Sequence, residues 1–137
     1  MFANPAPDLI RDLLRTAKSI AVVGFSPKED RPSFRVARAM QQLGYRVVPV
    51  RPMLAEGLGE KAYANLRELP EVPDIVDVFR AADAAGETID EAIAIGAKCV
   101  WLQEGVINEQ AAARAQAAGL TVVMDRCIWK EHRALLP

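Results

Sequence analysis

Short runs of β-branched and small apolar residues alternate with longer helical stretches along this chain, and that alternation leaves few folds open. Ser19-Ile20-Ala21-Val22-Val23-Gly24 reads as a buried strand stopped by glycine. Phe34 to Leu43 carries Phe34, Ala37, Met40 and Gln41 at helical spacing, and Gly44 closes it. Tyr45 to Val50 is a second strand, whose Pro49 has no N–H for a ladder and so predicts a loosely paired or bulged end. A short helix is expected at Ala64 to Glu68, a third strand at Pro73 to Phe79 and an alanine-rich helix from Ala82 to Ile95, ended by Gly96. Lys98 to Leu102 is a fourth strand. Asn108 caps a helix that runs to Ala118 and ends at Gly119, and Leu120 to Met124 is a fifth strand. Helices are also expected at Asp8 to Arg15 and from Ile128 onward.

Strands alternating with helices at this spacing run parallel and are joined by right-handed crossovers. Their near-continuous Val/Ile/Ala character fits a sheet covered on both faces. The expected fold is α/β: a Rossmann-like three-layer sandwich around a five-stranded parallel sheet. With 137 residues, one domain spanning 1–137 is expected.

Composition removes several classes of function. A formal net charge of −1 offers no basic footprint for nucleic acid, although it allows a local basic pocket. No apolar run approaches the roughly 20 residues of a membrane span. Met1 to Asp8 shows no leader pattern, so the cytoplasm is the expected compartment. The two cysteines, Cys99 and Cys127, are too few for a disulfide scaffold, and neither is spaced like a metal ligand.

Ligands of open parallel sheets bind at the carboxyl ends of the strands, where strand order reverses, and the first strand–helix connection usually lies there. Here it is Gly24-Phe25-Ser26-Pro27-Lys28-Glu29-Asp30-Arg31-Pro32-Ser33, longer than the roughly 2–6 residues usual for such loops. It opens with glycine, closes on Ser33 as the expected helix cap, and carries Ser26, Lys28 and Arg31. Free amides at a helix start, reinforced by hydroxyls and cations, form an anion site. The plainer reading is a long, charged surface loop. The dinucleotide fingerprint G-x-G-x-x-G fails at Ser26 and Glu29, and the second strand ends in Val50-Arg51-Pro52 where an NAD site wants an acid. Arg51 suits a phosphorylated ribose, as in NADP or coenzyme A.

Ala21-Val22-Val23-Gly24-Phe25-Ser26-Pro27, Asp30-Arg31-Pro32-Ser33 and Val76-Asp77-Val78-Phe79-Arg80 together resemble the small bacterial CoA-binding proteins. Glu91 to Lys98 and Val123-Met124-Asp125-Arg126-Cys127 look like the same family, so the resemblance runs from about Ser19 to Cys127. That family is in turn similar to the CoA-binding domain opening the succinyl-CoA synthetase alpha subunit. The resemblance implies that Gly24, Ser26 and the loop through Pro27, Lys28 and Arg31 to Ser33 hold a pyrophosphate. It places Val50, Arg51 and Pro52 along the adenosine end and Phe79, Arg80 and Ala81 beside the nucleotide. Gln103, Glu104 and Gly105 fall near the pantetheine arm. Phe25 stands where many relatives carry a small residue, which implies narrower backbone access to phosphate.

No nucleophile–base pair assembles from the remaining chemistry. His132, the one histidine, sits in the charged segment Lys130-Glu131-His132-Arg133 and reads as a solvated helix face. Cys127 is either a thiol facing the ligand or a packed small residue, and Cys99 reads as core. Glu104 has no titrating partner in view for general-base work. Asp74 and Asp77 point to opposite faces of their strand, which excludes a carboxylate pair. Phe79 and Trp101 either stack on adenine or pack in the core. The expected function is binding of coenzyme A or an acyl-CoA without catalysis, in service of an unknown protein partner. The alternatives are a CoA-dependent transferase or ligase acting with a second chain, and an NADP-linked reductase.

Overall fold

The computed structural model describes residues 1–137. Helix α1 (Pro7–Thr16) leads into β1 (Ser19–Val23), α2 (Pro32–Gln42) and β2 (Arg46–Val50). A two-stranded hairpin, β3 (Glu56–Gly57) with β4 (Glu60–Lys61), and a 3-10 turn (Leu66–Glu68) precede β5 (Ile75–Val78). Then follow α3 (Ala82–Ala94), β6 (Cys99–Leu102), α4 (Glu109–Ala117), β7 (Thr121–Val123) and α5 (Ile128–Leu135).

The five long strands form one parallel sheet in the order β2-β1-β5-β6-β7. The order reverses between β1 and β5, so a crevice opens at their carboxyl ends. One face of the sheet packs Val76, Val78, Val100 and Leu102 against Ala85, Ile89, Ala111 and Ala115 of α3 and α4. The other packs Ile20, Val22, Ile75 and Trp101 against Leu14, Met40 and Ile128 of α1, α2 and α5. This is the expected Rossmann-like three-layer α/β fold, and each large aliphatic side chain so buried contributes about 1.5–3 kcal/mol. No helix is long and apolar enough to cross a membrane.

Several local expectations need correction. The strand carrying Pro49 is regular through Val23↔Val50, neither loose nor bulged. Pro49 faces the outer edge of the sheet, where its carbonyl accepts the Tyr63 amide at 3.1 Å and no N–H is required of it. The helix expected from Ala64 is one 3-10 turn, because the Asn65 side chain accepts the Glu68 amide and ends the extended segment there. Ser33 is not the cap of α2. Arg31 occupies that half-helical position and Pro32 begins the helix, where a missing N–H costs nothing. His132 is half-buried, its ring edge-on to Tyr45 at 5.9 Å, beside a depression at the amino-terminal ends of β1 and β2.

Two edges of the sheet are guarded by side structures. At β2, the chain around Tyr63 adds a single parallel bridge. At β7, the Asn4 side chain pairs with the backbone of Met124 twice, donating to its carbonyl (2.9 Å) and accepting from its amide (2.8 Å), as a neighbouring strand would.

Candidate functional site

The floor of the crevice is set by Gly24. The chain leaves β1 there with φ +85, and a Cβ would stand 2.4 Å from the Phe79 carbonyl oxygen. Only glycine fits a backbone crossing this tight. The ends of four strands are stitched together here: Gly24 N–H donates to Val50 (3.0 Å), Phe79 N–H to Val23 (2.8 Å) and Gln103 N–H to Val78 (3.2 Å).

The loop after Gly24 is folded back by its own polar groups. Ser33 turns its hydroxyl to accept the Ser26 amide at 2.9 Å, and the Ser26 hydroxyl accepts the Lys28 amide at 3.2 Å. The amides of Ser33 and Phe34, the first N–H groups of α2, find no acceptor in the chain. Phe25 does not narrow this loop. Its ring is fully buried, 5.9 Å from Phe34 and against Gly57 of the hairpin, so the bulk points into the core and the backbone toward the crevice.

The crevice is a cleft of about 680 Å³, within the usual range for small-molecule sites. Of the residues expected at a ligand, Gly24, Ser26, Pro27, Lys28, Arg31, Ser33, Arg51, Phe79, Arg80, Gln103 and Glu104 line it. Val50 and Pro52 instead line an adjoining compartment of about 360 Å³ that shares Gly24 and Arg80 with the first and adds Asn65, Glu87 and Thr88. Phe25 is in the core, Ala81 is exposed at the start of α3, and Gly105 forms an exposed turn behind the wall. Trp101 is fully buried and donates its indole N–H to the Arg126 carbonyl at 2.8 Å, so core packing is its role. Pro32 and Val106 line the cleft without having been singled out; both adjoin expected residues in sequence, which was the signal available.

Charge distinguishes this cleft. Lys28, Arg31, Arg51 and Arg80 all face it and none is paired with a carboxylate. Arg51 donates to the Phe25 carbonyl (3.3 Å) and Arg80 to the Thr88 hydroxyl (3.2 Å), contacts that orient both guanidinium groups without neutralising them. The one acid on the wall, Glu104, is held by Lys130 at 2.9 and 3.2 Å. That hydrogen bond and its charge hold the Lys130 ammonium above the usual lysine range. A second large depression, about 720 Å³, lies over the end of β7. It carries Glu109, Asp125 and Glu131 against a single Arg126 already paired with Glu131, the wrong balance for a polyanion.

Both cysteines are buried, and burial with the nearby Asp77 carboxyl pushes the Cys99 thiol up to about 12, where it is inert. No cluster of three metal-ligating side chains occurs.

Residues 18–133 match the sequence profile of the CoA binding domain family. The chain belongs to that family. The uncharacterized protein YneT of Bacillus subtilis (strain 168) is 40% identical over 129 residues, covering 94% of this chain and 96% of that one. Among solved structures, a hypothetical protein from Pyrococcus horikoshii OT3 superposes with TM-score 0.94 at 36% identity, over 100% of this CoA-binding-domain chain and 99% of that one. A Thermus thermophilus protein follows at 0.92 and 38%, over 96% and 100%. The dinucleotide-forming acetyl-coenzyme A synthetase 1 of Ca. Korarchaeum cryptofilum shares the fold at TM-score 0.71 and 23% identity; the match covers 83% of this chain but only 28% of that enzyme.

Proposed function

We propose that this chain binds coenzyme A or an acyl-CoA across the carboxyl ends of its parallel strands, with no catalytic turnover of its own. The observation that carries the reading is the convergence of four unpaired cations and two unpartnered helix amides on the Gly24 crossing. The residues fit the ligand's parts. The amides of Ser33 and Phe34, with Ser26 and Lys28, hold the pyrophosphate. Arg51 meets the phosphate on the adenosine ribose with paired, charge-assisted hydrogen bonds. The compartment of Val50, Pro52 and Asn65 takes the base, and the pantetheine arm lies past Phe79 toward Gln103, Glu104 and Val106.

Catalysis finds little support in the side chains present. His132 sits at the far end of the sheet, Cys127 is buried, and Glu104 is committed to Lys130. Arg51 would also serve the ribose phosphate of NADP, so the test includes it. Isothermal titration is expected to show saturable binding of CoA or acetyl-CoA that exceeds NAD and NADPH. Arg51→Ala is expected to weaken CoA by about tenfold to a hundredfold and 3′-dephospho-CoA far less. Absence of heat and of thermal shift with folded protein at high CoA overturns the reading, and a mutant that keeps its full preference for CoA overturns the role of Arg51. Release of thiol from acyl-CoA esters by the purified chain overturns the absence of turnover.

A further inference from the structure

The wall of the cleft beyond Phe79 is the loop after β6, and the corner after β7 ties it down at every step. The Arg126 amide donates to the Leu102 carbonyl (3.3 Å), the Ile128 amide to the Gln103 side-chain oxygen (3.0 Å), and Lys130 to Glu104. At the apex, Asp125 accepts the Gly105 amide through Oδ1 at 2.8 Å. Gly105 has φ +83 and nothing around it that a side chain would touch; the Val106 amide closes the turn on the Gln103 carbonyl (2.9 Å), and the Asp125 bond is what moors that closed turn to the corner after β7.

Asp125 itself is left-handed, with φ 59. Residues other than glycine take that conformation at a cost, and they keep it where surrounding contacts over-determine it. Here the conformation aims the carboxylate back across the sheet end at Gly105. The Asn4 clamp on Met124 and the Arg126 guanidinium on the Asp125 carbonyl (2.9 Å) fix the residue from either side.

We infer that Asp125 is a positioning residue for the pantetheine half of the ligand: it touches no ligand, but pins the Gly105 turn and so sets Gln103, Glu104 and Val106 against the cleft. The inference rests on the CoA reading above and deepens it by dividing the site into two halves. The nucleotide half depends on Gly24, Arg51 and Arg80. The pantetheine half depends on the corner after β7.

The experiment titrates two probes, CoA and adenosine 3′,5′-bisphosphate, which keeps CoA's nucleotide with its first 5′-phosphate and lacks the second phosphate and the arm. The variants are Asp125→Gly, which keeps the backbone conformation but loses the acceptor, and Asp125→Asn, which keeps an acceptor oxygen and tolerates positive φ. Asp125→Gly is expected to weaken CoA by about tenfold while changing the bisphosphate by less than about twofold, and Asp125→Asn to stay within about threefold of wild type for both. Hydrogen exchange at the Gly105 amide is expected to quicken in Asp125→Gly alone. General damage to the fold would weaken both probes together. An unchanged ratio of the two affinities in Asp125→Gly overturns the inference, as does a wild type that gains nothing from the arm. A wild type that binds neither probe overturns the CoA reading first, and the positioning role with it.

Discussion

A methyl group on Gly24 would meet a backbone oxygen, which has no rotamer by which to yield, and the alanine would also have to hold φ +85. Gly24→Ala is therefore expected to lose about 2–4 kcal/mol of stability in denaturant unfolding, and CoA affinity in the fraction that still folds. Asp77 poses the opposite case. It lies in the middle of β5 between Val22 and Trp101, 1% exposed, with both carboxyl oxygens unpartnered. Burial pushes its carboxyl well above the usual carboxylate range. The folded chain thus keeps a proton that the unfolded chain releases near pH 4. Stability from this group is full below that pH and declines as pH rises, by up to about 1.4 kcal/mol per unit, until the folded-state group ionises. Asp77→Asn is expected to flatten this decline, with a melting-temperature advantage that grows as pH rises above about 4. Equal pH slopes for the two proteins would refute it. The signal for Asp77 was present in the sequence: a strand covered on both faces buries every side chain it carries, including an acid between Val76 and Val78.

At the scale of elements, the long helices and strands were legible because each is bounded by residues with one mechanical meaning. Gly44, Gly96 and Gly119 take positive φ at helix ends, and Asn108 accepts the Ala111 amide as a cap. What escaped was built from contacts distant in sequence. The hairpin β3–β4 is two residues per strand, too short for any periodicity, and the role of Ser33 depends on where the Ser26 amide arrives. The orientation of Phe25 depends likewise on the hairpin glycine that receives its ring. Asn4 belongs with these: nothing local marks it as the partner of Met124. Without its paired hydrogen bonds the outer side of β7 is open to water or to another strand. Asn4→Ala is expected to cost about 1–3 kcal/mol in thermal unfolding and to raise the propensity to aggregate. Asn4→Gln, whose longer side chain misplaces both groups, is expected to rescue little of it.

Across the whole molecule, charge is segregated. The chain is near neutral, yet four uncompensated cations gather at one end of the sheet. Raising salt is expected to weaken CoA steeply, since exposed charge pairs are screened within about 10 Å at 0.1 M ionic strength. An affinity indifferent to salt would show that these cations do not hold the ligand. Periodicity yields strands but not their order, so the sequence placed the site only at the first strand–helix connection, and the observed order sets the cleft between β1 and β5. That placement has a kinetic consequence. β1 can meet β2 early, through the helix that directly joins them, but the β1–β5 pairing of Ile20 with Ile75 closes a far longer loop. A ligand that needs both Gly24 and Arg80 has no site until that closure is complete. In stopped-flow experiments CoA is then expected to slow unfolding in proportion to its concentration and to leave the rate of folding untouched.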